Sequence, residues 1–199
     1  MATGEGRIIY YSQPNVYGTY FKCSKRTAAH LDHTKSELKK RGKSLKIIQG
    51  CFNTGVDASA GTHDGDAVLD VEIFGMDWYQ AQKFLRSLGW AAWVRTPAQG
   101  FSYHIHMVSL PDYKYKFVAK VGQYVPGQVT SYYNHTSGLI GEAPDITWHP
   151  DVIRSTIFDY DKYMASLKLT TKISNTTKRI LELRRLRESL RRQRARLNR

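Results

Sequence analysis

Cysteine is scarce in this chain of 199 residues: Cys23 and Cys51 are the only two, and they form no Cys-x-x-Cys pair. That excludes a disulfide-stapled scaffold and a cysteine-built zinc knuckle, so both thiols read as small buried apolar residues. Long apolar runs are missing as well. No segment approaches the roughly 18 consecutive apolar residues of a membrane-spanning helix. The opening "MATGEGRIIYYSQPNVYG" lacks the basic-then-apolar layout of a signal peptide. The expectation is a chain made in the cytosol, with no signal peptide and no transmembrane segment. Acidic residues are in deficit too, 17 against 30 Lys and Arg, for a net charge of +13.

What is present suits a folded protein. A 41% hydrophobic and 12% aromatic content supports a packed core, and the length fits one large domain or one domain with an appendage. The charge is uneven: residues 175–199 hold ten Lys and Arg against Glu182 and Glu188. We therefore read a body over residues 1–165 and a basic helical tail over residues 166–199. In the tail Leu183, Leu190 and Leu197 recur every seven residues with Leu186 between them. That spacing makes a short, marginal coiled coil and a possible oligomer contact. The broad arginine face beside it suits an anionic polymer: a wall polymer, a lipid surface or nucleic acid.

Along the body, "SKRTAAHLDHTKSELKKRG" carries Ala28, Leu31 and Leu38 at helical spacing with Gly42 as a stop. His30 and His33 on this helix read as solvated surface groups. Strands are expected in "SLKIIQGCF", "AVLDVEIF", "AAWVRT" and "YHIHMVSL", and a helix in "MDWYQAQKFLRSLGW". Helices among antiparallel-looking strands, without a βαβ rhythm, predict an α+β fold: an antiparallel sheet with flanking helices plus the basic C-terminal helix. Residues 111–160 read only as mixed loop and helix.

The stretch "ASAGTHDGDAVLDV" places His63 and three aspartates around a glycine turn that leads into a strand. Period two puts His104 and His106 on one face of their strand, and sends Asp70 to the face opposite Leu69 and Val71. A carboxylate in such a strand needs a partner, because burying it uncompensated is costly. His63 can curl back beside it. Two imidazoles and one carboxylate make the three-ligand set of a catalytic zinc site whose fourth position is left to water. Asp64 and Asp66 read as turn residues, either a weaker substitute for Asp70. Ser59 or Thr62 could hydrogen-bond a ligand, and His149 is either a turn residue or an outer contact.

On these residues the chain resembles the superfamily of zinc peptidases comprising lysostaphin, D-alanyl-D-alanine carboxypeptidases and hedgehog-type domains. "SAGTHDGDAVLD" stands where the carboxypeptidases carry Ser-x-His and a later Asp, and "YHIH" where lysostaphin-like enzymes carry His-x-His. The resemblance runs from about Thr27 to His149 and implies a hedgehog/DD-peptidase-like fold with Zn²⁺ held by His63, Asp70 and His106. It also implies His104 as general base beside the metal, Tyr103 standing where the carboxypeptidases have their Glu. Tyr103, Tyr132, Tyr133 and His135 are candidates for contact with substrate.

The expected function is therefore a zinc metallopeptidase that cuts peptide bonds of peptidoglycan, in the manner of a phage lysin or virion-associated wall hydrolase. The alternative is an inactive protein of the same fold with a structural or nucleic-acid-binding role through its arginine tail.

Overall fold

The structure, a computed structural model, describes residues 7–53, 62–110, 124–139, 144 and 158–197. It divides into two units, Met1–Tyr160 and Asp161–Arg199. In chain order the elements are β1 (Ile8–Tyr10), β2 (Lys22–Ser24), α1 (Lys25–Lys39), β3 (Ser44–Gln49), β4 (Val68–Phe74), α2 (Trp78–Ser87), β5 (Trp90–Arg95), β6 (His104–Ser109), α3 (Tyr124–Tyr133) and α4 (Tyr160–Leu197). β1 and β2 pair with each other, and the remaining strands form a four-stranded antiparallel sheet in the order β3-β4-β6-β5. The fold is α+β, with a helix at the C-terminal end.

Local chemistry fixes the helix ends. Ser24 accepts a hydrogen bond from Thr27 N at the start of α1, satisfying a donor that the helix itself leaves unpaired. Gly42, at φ +67°, turns the chain out of that helix. Asp77 does for α2 what Ser24 does for α1, accepting from Tyr79 N and Gln80 N.

Alternation along the strands sorts the sheet into two buried faces. One carries Leu69, Val71, Ile73, Ala92, Val94, Ile105 and Met107, packed with Leu31 and Leu38 of α1 and with Ala81 and Leu85 of α2. The other carries Val68, Ala91, Trp93 and Val108 with Leu110 and with Tyr132 of α3. Asp70 and His106 share this second face, so they are polar residues inside a sheet buried on both sides. Cys23 and Cys51 are free and buried, and burial pushes the Cys23 thiol up to about 12, which keeps it unreactive.

Three findings differ from the sequence reading. The β1–β2 pair was not anticipated, since strands of three residues carry too little alternation. α4 is one helix of 38 residues, beginning at Tyr160; from Ala165 to Ala195 every residue of it is exposed. Among the described residues no helix is long and apolar enough to cross a membrane.

The third difference corrects the reading of His30, which is fully buried rather than solvated. Its ring is stacked between Trp90 (centroids 3.9 Å apart) and Phe158 (4.4 Å). Nε2 donates to Leu88 O and Nδ1 accepts from Ser109 Oγ, each at 2.8 Å; the carbonyl can only accept, which fixes this tautomer. Its neighbour His33 is half-buried. Burial holds the His30 pKa well below its ordinary value, so the ring stays neutral in the folded state while the unfolded chain takes up a proton near pH 6.5.

Stability should therefore fall as pH drops through that value, because the unfolded state then binds more protons. Below about pH 6 the slope from His30 alone is about 1.4 kcal/mol per pH unit. Urea unfolding between pH 7 and 5 checks this: His30→Phe keeps an aromatic in the stack but carries no proton, and should show a shallower slope than the wild type.

Candidate metal centre

The site is built from a cross-strand pair, a diagonal neighbour and a loop. Asp70 on β4 lies directly opposite His106 on β6, at the separation where facing side chains touch, and His104 is its diagonal neighbour on the same face. His63 comes from the turn that precedes β4. That turn is tied back to the end of β3, with Asn53 N donating to His63 O (2.9 Å) and Phe52 N to Gly65 O (3.0 Å). Phe52 (φ +52°) and Ala67 (φ +73°) hold left-handed backbone on either side of His63, a conformation that costs a non-glycine residue about 1–3 kcal/mol. At Gly50 a Cβ would stand 2.1 Å from the Phe21 ring, so only glycine fits where the carbonyl receives His63.

The donors converge on Asp70. His63 Nε2 is 3.2 Å and His106 Nδ1 2.8 Å from Asp70 Oδ1, and His104 Nε2 is 3.6 Å from Oδ2. His63 Nδ1 lies 3.1 Å from Gly50 O and His104 Nδ1 2.7 Å from Ser102 O. A carbonyl can only accept, so Nδ1 carries the hydrogen in both rings, and in the neutral rings the Nε2 lone pairs point toward a carboxylate. Lone pairs facing an anion call for a positive charge between them, a proton or a metal ion. His63, Asp70 and His106 each offer one ligand atom, all within 4.8 Å of one another, and could hold a metal ion. Bonds of about 2.0–2.2 Å in tetrahedral geometry put neighbouring donors about 3.3 Å apart. The observed 3.2 Å and 2.8 Å lie near that spacing.

Burial sharpens the electrostatics. All three ligand candidates are buried. Burial opposes charge on Asp70, but the hydrogen bond from His106 and the His63 imidazole beside it outweigh this and hold the carboxyl below its ordinary value, so Asp70 is an anion at neutral pH. Burial also lowers the His106 pKa against the pull of Asp70, which keeps that ring neutral, the state in which imidazole binds a metal. The buried Gln128 of α3 presents its amide to His106 Nε2, with Oε1 at 3.2 Å and Nε2 at 3.0 Å. The amide can accept from Nε2–H or donate to a bare Nε2, so it serves either tautomer of His106.

α3 and the turn after it line this face. Trp93 Nε1 donates to Thr136 O and Arg95 Nη1 to Ser137 O, each at 2.9 Å. Gly138, at φ +64°, has room for no side chain larger than hydrogen without pressing on Trp93, 3.2 Å from where its Cβ would be.

The structure thus brings together His63, Asp70, His104 and His106. Tyr103 is half exposed and stacks on Trp78 of α2 with centroids 5.6 Å apart. His135 sits in the turn after α3 at φ +60°, and Tyr132 packs edge-on against Trp93, with Tyr133 against Tyr132. Asp66 is no substitute ligand: it is buried and accepts from Ser24 N (2.8 Å) and Thr27 Oγ1 (3.1 Å), fastening the turn to the start of α1. Asp64 is exposed, while Ser59 and His149 lie outside the described residues. Gln128 and the Gly50 carbonyl were missed. Gly50 directly after an apolar strand signals close backbone approach; nothing in the spacing around Gln128 marks it.

Comparison with known proteins finds no family model, no curated protein and no solved structure that matches this chain.

One divalent ion per chain is the expected stoichiometry in a zinc titration followed by elemental analysis. His106→Ala and His63→Ala should each weaken binding by more than the 10- to 100-fold typical of losing an outer hydrogen-bond partner. Gln128→Ala should fall within that range.

Proposed function

We propose that this protein is a zinc-dependent peptidase of the hedgehog/DD-peptidase-like kind, cutting peptide bonds in peptidoglycan as a phage lysin or virion-associated wall hydrolase does. The observation that carries this reading is the pair of ring nitrogens, His63 Nε2 and His106 Nδ1, directed at one oxygen of a buried Asp70. Two imidazoles and a carboxylate match the ligand set of catalytic rather than structural zinc sites, which close all four positions with protein groups. Supporting it are adjacent antiparallel strands that carry the ligands and a fourth group, His104, within reach of the same carboxylate.

His63, Asp70 and His106 would hold the ion. Bound zinc supplies hydroxide at neutral pH, by lowering the pKa of water toward about 7, and polarises the scissile carbonyl. The other tasks fall to the chain itself. Asp70 neutralises part of the positive charge brought into a buried place. Gly50 O and the Gln128 amide hold the two liganding rings in orientation. His104 keeps its hydrogen on Nδ1 through Ser102 O, which leaves Nε2 as a base. It takes a proton there from the attacking water and returns it to the leaving amine nitrogen. Its side chain is less buried than those of His63 and His106, so the proton can exchange with solvent between turnovers.

A second reading rests on α4, where Arg184, Arg185, Arg187, Arg191, Arg192 and Arg194 are all exposed: a polyanion-binding protein whose metal centre is inert. Wall polymers are anionic too, so the arginines are compatible with both readings.

Turbidity clearing of purified cell walls separates them. The wild type should clear walls, lose this on chelation and regain it with added zinc. His104→Ala should bind zinc as before while clearing at least about 100-fold more slowly. Intact walls beside stoichiometric zinc, with salt-sensitive DNA binding that disappears on deleting residues 175–199, would favour the second reading instead.

A further inference from the structure

We propose that α4 pairs with α4 of a second copy of this chain as a parallel, in-register coiled coil. The observation behind it is that the seam read from Leu183, Leu190 and Leu197 begins well before the arginine-rich segment. In one unbroken helix from Tyr160 to Leu197, Leu169, Ile173, Thr176, Ile180 and Leu183 follow one another at spacings of four, three, four and three, and Leu190 and Leu197 continue at seven. This is the 3.5-residue repeat that keeps one face turned toward a partner helix. Ile173 and Ile180 take the first core position of the heptad, and Leu169, Leu183 and Leu190 the second. β-Branched residues at the first with leucine at the second favour two parallel strands.

The seam residues lie exposed on α4. Leu169 is 59% exposed, Ile173 57%, Ile180 47%, Leu183 50% and Leu190 55%. A stripe this narrow is the seam of a two-stranded coil; a helix that packs on a globular core shows a wider apolar face. Charge admits the pairing. Across a parallel dimer the flanking positions bring Lys172 to Thr177, Arg179 to Arg184 and Leu186 to Arg191 of the second copy, so one contact in three sets like charges together. Beyond Leu183 the first core position is taken by Arg187 and then Arg194. The two chains therefore zip through the N-terminal part of the helix and set their arginines side by side in the C-terminal part, doubling the cationic surface offered to a polyanion.

Because the paired arginines repel, salt should strengthen this dimer rather than weaken it. Sedimentation equilibrium of the full chain should give twice the 22.8 kDa chain mass at micromolar concentration, with tighter association at higher salt. Ile173→Lys and Ile180→Lys should return the mass to that of one chain. Leu181→Lys, an equally apolar residue on the same helix but off the seam, should leave the dimer intact. Ser166→Cys, placed at a first core position, should cross-link on mild oxidation, since the two native thiols are buried. A single-chain mass at all concentrations overturns the proposal, as does equal dissociation by Leu181→Lys and Ile180→Lys. A dimer in which Ser166→Cys fails to cross-link overturns the parallel arrangement.

Discussion

Everything distinctive in this protein follows from placing one carboxylate, Asp70, in a strand buried on both faces. An anion there cannot rely on water, so its surroundings must supply positive character. They supply three imidazoles, two of which have their hydrogens drawn away by the carbonyls of Gly50 and Ser102. A structural ion pair is built the other way round, with donors turned inward. Here acceptors are turned inward, a polarity with which the cluster could hold a metal ion.

The supporting structure is arranged around this requirement. Antiparallel pairing puts Asp70 opposite His106 without any loop intervening. The remaining ring has to come from outside the sheet, and the turn before β4 delivers it at the cost of two left-handed residues, Phe52 and Ala67. Strain of that size persists only where neighbouring contacts over-determine the backbone, and the hydrogen bonds from the end of β3 to His63 and Gly65 do so. On the far side, α3 covers the face with Gln128 and Tyr132. A polar cluster is thus enclosed between aromatic packing and backbone amides.

Much of this was legible in the sequence because period-two alternation is a strong local signal: it put His104 and His106 on one face of their strand and Asp70 on the face opposite Leu69 and Val71, and strand pairing then made the two faces one. His63 was legible through the glycine turn beside it. The failures have a common cause. His30 lies among Ala and Leu on a helix, and helical spacing says which face is apolar but not that Trp90 and Phe158 close over a polar ring. Asp66 reads as a turn former in its own neighbourhood, and its role is set by Ser24 and Thr27, distant in sequence. Gln128 belongs to the same group. Local pattern reports the surroundings a few residues away, whereas these three residues take their function from contacts that only the folded chain creates.

The double fastening of the turn at residues 62–67 has a mechanical meaning. Asp66 holds one end to the first turn of α1, and His63 holds the other to Gly50 at the end of β3. Whatever binds at Asp70 therefore pulls on both elements. Occupancy and folding would share one free energy in such an arrangement, so a cation held there would tighten both of the elements that the turn joins.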